Sequence, residues 1–139
     1  MIVLDSSAML AYLRGEPGGD LVRGLLLDDE RDVPIYAHAV NLCEVYYDVL
    51  QSHDATLAEA TVTILKAAGV QERSDMDSVF WRDAATLIGT QRAAGHRLAR
   101  GDAFGLALAR REDADFYTTD RHEIAPVQAA GWCRVTFIR

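Results

Sequence analysis

Four acidic residues stand where acids are costly. Asp5 closes the apolar run MIVL, Glu44 lies inside VNLCEVYYDVL, Asp102 opens DAFGLALA, and Asp120 closes FYTT. Ionised carboxylates are seldom buried unless they are paired or bind a cation. Three of the four have a plain structural explanation. Asp5, Asp102 and Asp120 each stand where a helix is expected to begin, and a carboxylate there caps the free N–H groups. Ser6 and Ser7 compete with Asp5 for that task, and Asp120 with Glu123 has the spacing of a capping box. Glu44 is different, because it falls inside a helix and shares a face with Val40 and Tyr47. A buried ion pair with an arginine is the alternative to a catalytic role for it.

Brought to one place, the four carboxylates would repel one another unless a cation neutralised them. Hard divalent ions suit such a site: Mg²⁺ takes oxygen ligands and is held by carboxylates together with substrate phosphates. The matching chemistry is phosphodiester hydrolysis, in which the ion lowers the pKa of the attacking water and stabilises the leaving oxygen. Other chemistries lack their residues. His38, His53, His96 and His122 are scattered without zinc spacing. Ser6 and Ser7 have no GxSxG elbow, and neither GxxxxGK[ST] nor GxGxxG occurs. Position 7 is Ser, where a dehalogenase-type phosphatase would need a second acid.

The elements that must position these residues alternate. MIVLD reads as a buried strand and SSAMLAYLR as a helix stopped by GEPGG. A helix over 20–29 and a strand at VPIYA follow, then helices over 39–52 and 55–68. A capped helix ends at Gly95, GDAFGLALARRED forms another, ADFYTTD is a strand, RHEIAPVQAAGW a helix, and CRVTFI the last of four strands. Strands separated by helices, with no hairpin signal, predict an α/β, three-layer domain over 1–139 with a mostly parallel central sheet flanked by helices. Such sheets place their sites at the carboxyl ends of strands, where Asp5 and Asp120 fall.

Composition bounds the function. The chain of 139 residues carries 14 basic and 21 acidic side chains, net −7, which disfavours a broadly cationic nucleic-acid surface. The charge is unevenly placed: residues 1–91 hold six basic and 15 acidic groups, residues 92–139 eight and six. The basic groups are arginines except for Lys66, and Arg is the better bidentate phosphate ligand. Arg97, Arg100 and Arg121 are therefore the candidates for contacting a polyanion beside the acids. No apolar run approaches membrane-spanning length and no signal-peptide pattern opens the chain, so a cytoplasmic protein is expected. Cys43 and Cys133 lie far apart in apolar segments and are expected to be reduced core residues.

The four acidic stretches VLDSSA, AVNLCEVYYD, RGDAFGLALA and FYTTDRHEI, in that order, make the chain resemble a PIN domain, specifically the VapC toxins of VapBC toxin–antitoxin pairs. The resemblance implies a Mg²⁺- or Mn²⁺-dependent endoribonuclease with Asp5, Glu44, Asp102 and Asp120 as the metal-binding acids. It also implies that Ser7 and Thr118 orient carboxylates or water. Single-stranded RNA or tRNA, rRNA or mRNA is the implied substrate, a small antitoxin with a segment in the acidic groove the implied partner, and a homodimer the implied assembly. An antitoxin arginine entering such a groove could displace the ion. Two departures stand out: Asn41 replaces a hydroxyl residue common in relatives, and Glu123 is either a further ligand or only a cap. A non-catalytic binding partner, or another metal-dependent nuclease or phosphohydrolase, are the alternatives.

Overall fold

The computed structural model describes all 139 residues. Five strands, β1 (Ile2–Leu4), β2 (Ile35–His38), β3 (Val70–Arg73), β4 (Asp115–Thr118) and β5 (Arg134–Phe137), form one sheet in the order β3-β2-β1-β4-β5. Every neighbouring pair is parallel. Seven helices link them: α1 (Ser6–Arg14), α2 (Gly19–Leu27), α3 (Ala39–Ser52), α4 (Ala55–Ala67), α5 (Ser78–Ala93), α6 (Arg100–Arg111) and α7 (Arg121–Ala129). The expected three-layer α/β architecture is present, but with five strands rather than four. β3 reads VQER, a single apolar residue followed by three polar ones. It sits at the sheet edge and pairs only with β2, so it lacks the apolar run that marks a buried strand.

Strand alternation divides the core between the two faces. Ile2 and Leu4 point to one side, packing with Met9, Val22, Leu42 and Leu65 of α1 to α4. Val3 points to the other, packing with Phe80, Leu87, Leu106 and Ile124 of α5 to α7. The chain steps outward from β1 to β2 and β3, then returns across the sheet to place β4 on the other flank of β1. The order of strands therefore reverses between β1 and β4, the place where such sheets leave a crevice beyond their carboxyl ends.

His38, at the end of β2, ties several elements together. Its Nδ1 accepts the Val40 N–H at 3.2 Å, capping α3, and its Nε2 donates to the Asp75 carbonyl at 2.9 Å. The ring packs against both Phe80 of α5 and Phe104 of α6, with centroids 5.2 and 5.3 Å away, and those two rings stack on each other at 5.9 Å. The cysteines correct an expectation: both are free, but Cys43 is exposed on α3 and only Cys133 is half-buried. Burial pushes the Cys133 thiol up to about 12, which leaves it unreactive. No helix is long and apolar enough to cross a membrane.

Candidate metal centre

Asp5 directly follows β1 and is 1 % exposed. It serves as the N-cap of α1 itself, its Oδ1 accepting the Ala8 N–H at 2.7 Å, so neither serine takes over that role. The Ser7 hydroxyl donates to the two Asp5 oxygens at 2.8 and 2.9 Å. The Ser7 Oγ in turn accepts the Thr119 N–H at 2.9 Å and lies 3.4 Å from Thr118 Oγ1. Thr118 is fully buried at the end of β4, and its Oγ1 accepts the Asp120 N–H at 2.9 Å. Ser7 and Thr118 thus stitch together the two strand ends that carry Asp5 and Asp120. Burial pushes the Asp5 carboxyl up to about 6, against the opposing effect of hydrogen bonds from Thr118, Ala8 and Ser7.

Glu44 lies on α3 and no arginine pairs with it; its partner is an amide. Asn41 Nδ2 donates to Glu44 Oε1 at 3.1 Å and to the Gly101 carbonyl of α6 at 3.1 Å. Asn41 is completely buried, one helical turn before Glu44, and so locks the carboxylate against the start of α6. A Cβ at position 101 would overlap the Glu44 carboxylate, so any larger residue there would push that carboxylate aside. Burial raises the Glu44 pKa above its usual value, with hydrogen bonds from Asn41 and Ser6 opposing.

Asp102 sits in the first turn of α6 and is not its cap, because Ala99 holds that position with no side-chain cap bond. Asp120 does cap α7, accepting the Glu123 N–H at 3.0 Å. The reciprocal half of the capping box is missing: Glu123 Oε2 instead accepts the Ala99 N–H at 3.2 Å, reaching across to the start of α6. Asp102, Asp120 and Glu123 each offer a carboxylate oxygen, and these lie within 4.8 Å of one another. Asp102 carries the strongest perturbation, pushed up to about 8 by burial and then by the charges of Asp5, Glu44, Asp120 and Glu123. All five acids therefore act on one region. Asp5 and Glu44 border the close trio of Asp102, Asp120 and Glu123.

The donor set is all oxygen and strongly anionic, which suits a hard divalent cation and not zinc or copper. The arginines are placed unequally. Arg97 borders the acids, with its Nε 3.4 Å from Glu123 Oε1. Arg100 is exposed at the first position of α6. Arg121 is turned toward β5, its guanidinium 4.4 Å over the Phe137 ring. Gly101 is the contributor that sequence reading did not single out. Its signal is a glycine inside the first turn of a helix, where it costs stability without a compensating contact.

The chain matches the PIN domain model over residues 2–127 and belongs to the PIN domain family. Solved structures share its fold, and three of them illustrate the likeness. VapBC-1 from nontypeable Haemophilus influenzae has a TM-score of 0.76 at 12% identity, covering 99% of this chain and 98% of that one. VapC20 from Mycobacterium tuberculosis, described as a sarcin-ricin loop cleaving toxin, has 0.68 at 16% identity over 91% and 95%. VapBC-5 from the same organism, a member of the VapBC family of toxin–antitoxin systems, has 0.64 at 20% identity over 97% and 96%. No curated protein is similar enough in sequence to be matched.

Proposed function

We propose that this PIN domain is the toxin of a type II toxin–antitoxin pair, a cytoplasmic endoribonuclease that uses Mg²⁺ or Mn²⁺ to hydrolyse RNA phosphodiester bonds. The observation that carries this reading is the meeting of the Asp102, Asp120 and Glu123 carboxylates within 4.8 Å of one another at the β1–β4 switch point, with Asp5 and Glu44 at its border. Asp102, Asp120 and Glu123 would hold the ion, with Asp5 and Glu44 completing the anionic surround. When bound, the ion supplies a lowered pKa for the attacking water and charge compensation at the leaving oxygen.

The chain's own residues do the rest. Ser7 is given a positioning role, its hydroxyl donating to Asp5 and its oxygen accepting the Thr119 N–H, and water is proposed as the attacking group. Ser7 and the Ala8 N–H hold both Asp5 oxygens in place, and Asn41 holds Oε1 of Glu44. Thr118 fixes the backbone of Asp120. Arg97, Arg100 and Arg121 are proposed to meet the RNA backbone outside the acids.

The antitoxin has two places to engage. A basic segment suits the acids, and an apolar helix suits the grooves between α1, α2, α3 and α4, which share Leu13 and Ile64 and have Arg14 and Arg23 at their edges. A homodimer is the proposed free state, checked by light-scattering mass.

Purified protein is expected to cleave RNA with Mn²⁺ or Mg²⁺ and to stop in chelator. Asp102→Asn is expected to lower turnover more than about 100-fold, since even the outer partners of metal ligands are worth 10–100-fold. Cleavage that persists in chelator would refute the metal mechanism, and equal turnover of DNA or phosphomonoesters would remove the RNA assignment.

A further inference from the structure

A cavity of about 140 Å³ opens beside the acidic centre, between the segment joining α5 to α6 and the first turn of α7. Its walls are Gly95, His96, Arg97, His122 and Glu123, with no apolar side chain among them. We propose that this cavity is a phosphate subsite, in which His96, Arg97 and His122 hold the RNA backbone phosphate next to the one being cleaved. The proposal rests on the ribonuclease reading above and assigns substrate binding to residues outside the carboxylates.

The two histidine side chains in this cavity make no hydrogen bond within the fold, and Arg97 makes a single ion pair. His96 and His122 are exposed, and the one hydrogen bond of His96 runs from its backbone N–H to Gln91. The Arg97 side chain is 86% exposed, with Glu123 as its sole ion-pair partner. Other arginines are committed: Arg73 and Arg111 to Asp75, Asp77 and Glu112, Arg134 to Asp113 and Asp115, and Arg110 to the face of Trp132.

The segment that presents His96 and Arg97 is also held in place. The His96 N–H donates to Gln91 at 2.8 Å, the Leu98 side chain is buried, and the Ala99 N–H donates to Glu123 Oε2 at 3.2 Å. The backbone that carries these donors therefore needs no reordering when a ligand arrives.

Position decides the ligand. Glu123 is a wall common to the cavity and the acidic trio: one oxygen faces Arg97, and a carboxylate oxygen lies within 4.8 Å of those of Asp102 and Asp120. With its scissile phosphate over the trio, a strand has the cavity beside it across the shared Glu123 wall, where its next phosphate is proposed to lie. A molecule of net charge −7 repels RNA, and a local set of donors beside the acids offsets that repulsion where the strand must lie. On binding, Arg97 exchanges its Glu123 partner for the phosphate, which its planar fork can grip through two N–H groups.

The test is binding of a short fluorescein-labelled single-stranded RNA, followed by anisotropy in chelator across a salt series. The triple variant His96→Ala, Arg97→Ala, His122→Ala is expected to raise Kd about tenfold and to flatten the slope of log K against log salt by about 0.7, the loss of one phosphate contact on a single strand. All three side chains are exposed, so an unchanged melting temperature verifies the fold. Arg134→Ala, which removes a charge elsewhere, should leave the slope as it was. An unchanged Kd and slope in the triple variant, with wild-type cleavage intact, overturns the subsite and spares the ribonuclease reading. A wild type that neither binds nor cleaves RNA overturns both. Inorganic phosphate that displaces the RNA completely at concentrations comparable to the RNA itself would make this a free-phosphate site, and the subsite would fall.

Discussion

Asp102 stores electrostatic stress that the fold must tolerate, and this makes a signed prediction. Ordinary aspartate carboxyls titrate near 4 in an unfolded chain, whereas Asp5 and Asp102 are pushed up to about 6 and about 8. Between pH 4 and 8 the native state therefore holds more protons than the unfolded one, and stability falls as pH rises through that window. In chelator, the melting temperature should drop from pH 5 to pH 8. Asp102→Asn should remove the upper part of that drop and stabilise the metal-free protein at pH 8 by about 1–2 kcal/mol, as relief of a functional-site strain does. A rise of several degrees in calorimetry would report it; a flat wild-type profile would contradict it. The sequence shows the acids because an isolated charge in an apolar run is conspicuous. Their ranking is not visible there, since nothing in RGDAFG says that Asp102 faces four other carboxylates.

The meeting of α3 and α6 is made by absence of side chain as much as by its presence. Gly101 admits the Glu44 carboxylate, and at Gly105 a Cβ would come within 2.7 Å of the Phe116 ring and 2.9 Å of Asn41 Oδ1. Gly101→Ala improves intrinsic helix propensity by up to about 1 kcal/mol, yet should destabilise by about 1–3 kcal/mol through overpacking. Displacing Glu44 should also weaken Mn²⁺ binding in titration calorimetry; an unperturbed affinity would show that Glu44 does not depend on this contact. Alternation of strands and helices was legible because buried strands such as IVL and helices such as ATLAEATVTILKA differ in length and period. β3 was not, since an edge strand of Gln, Glu and Arg gives no apolar signal. The Asn41 bridge was equally hidden, because a bond to Gly101 spans 60 residues.

At the scale of the whole molecule, the apolar grooves on α1 to α4 and the acidic crevice are separate assets. Leu27 is 66% exposed and Ile64 49%, so Leu27→Asp with Ile64→Asp should leave folding and RNA cleavage intact. The same pair should weaken capture of the co-expressed antitoxin by more than about 100-fold, the loss typical of a buried apolar anchor pair, as read by calorimetry; undiminished affinity would place the partner elsewhere. The central position of β1 has a kinetic consequence as well. Leu4 pairs with Tyr117, so the innermost strand waits for a partner more than a hundred residues away, and closing so long a loop slows folding. Asp5 and Asp120 meet only when that pairing forms. The crevice thus exists only once β1 and β4 are paired, and a partly folded chain lacking that pairing should be harmless to RNA.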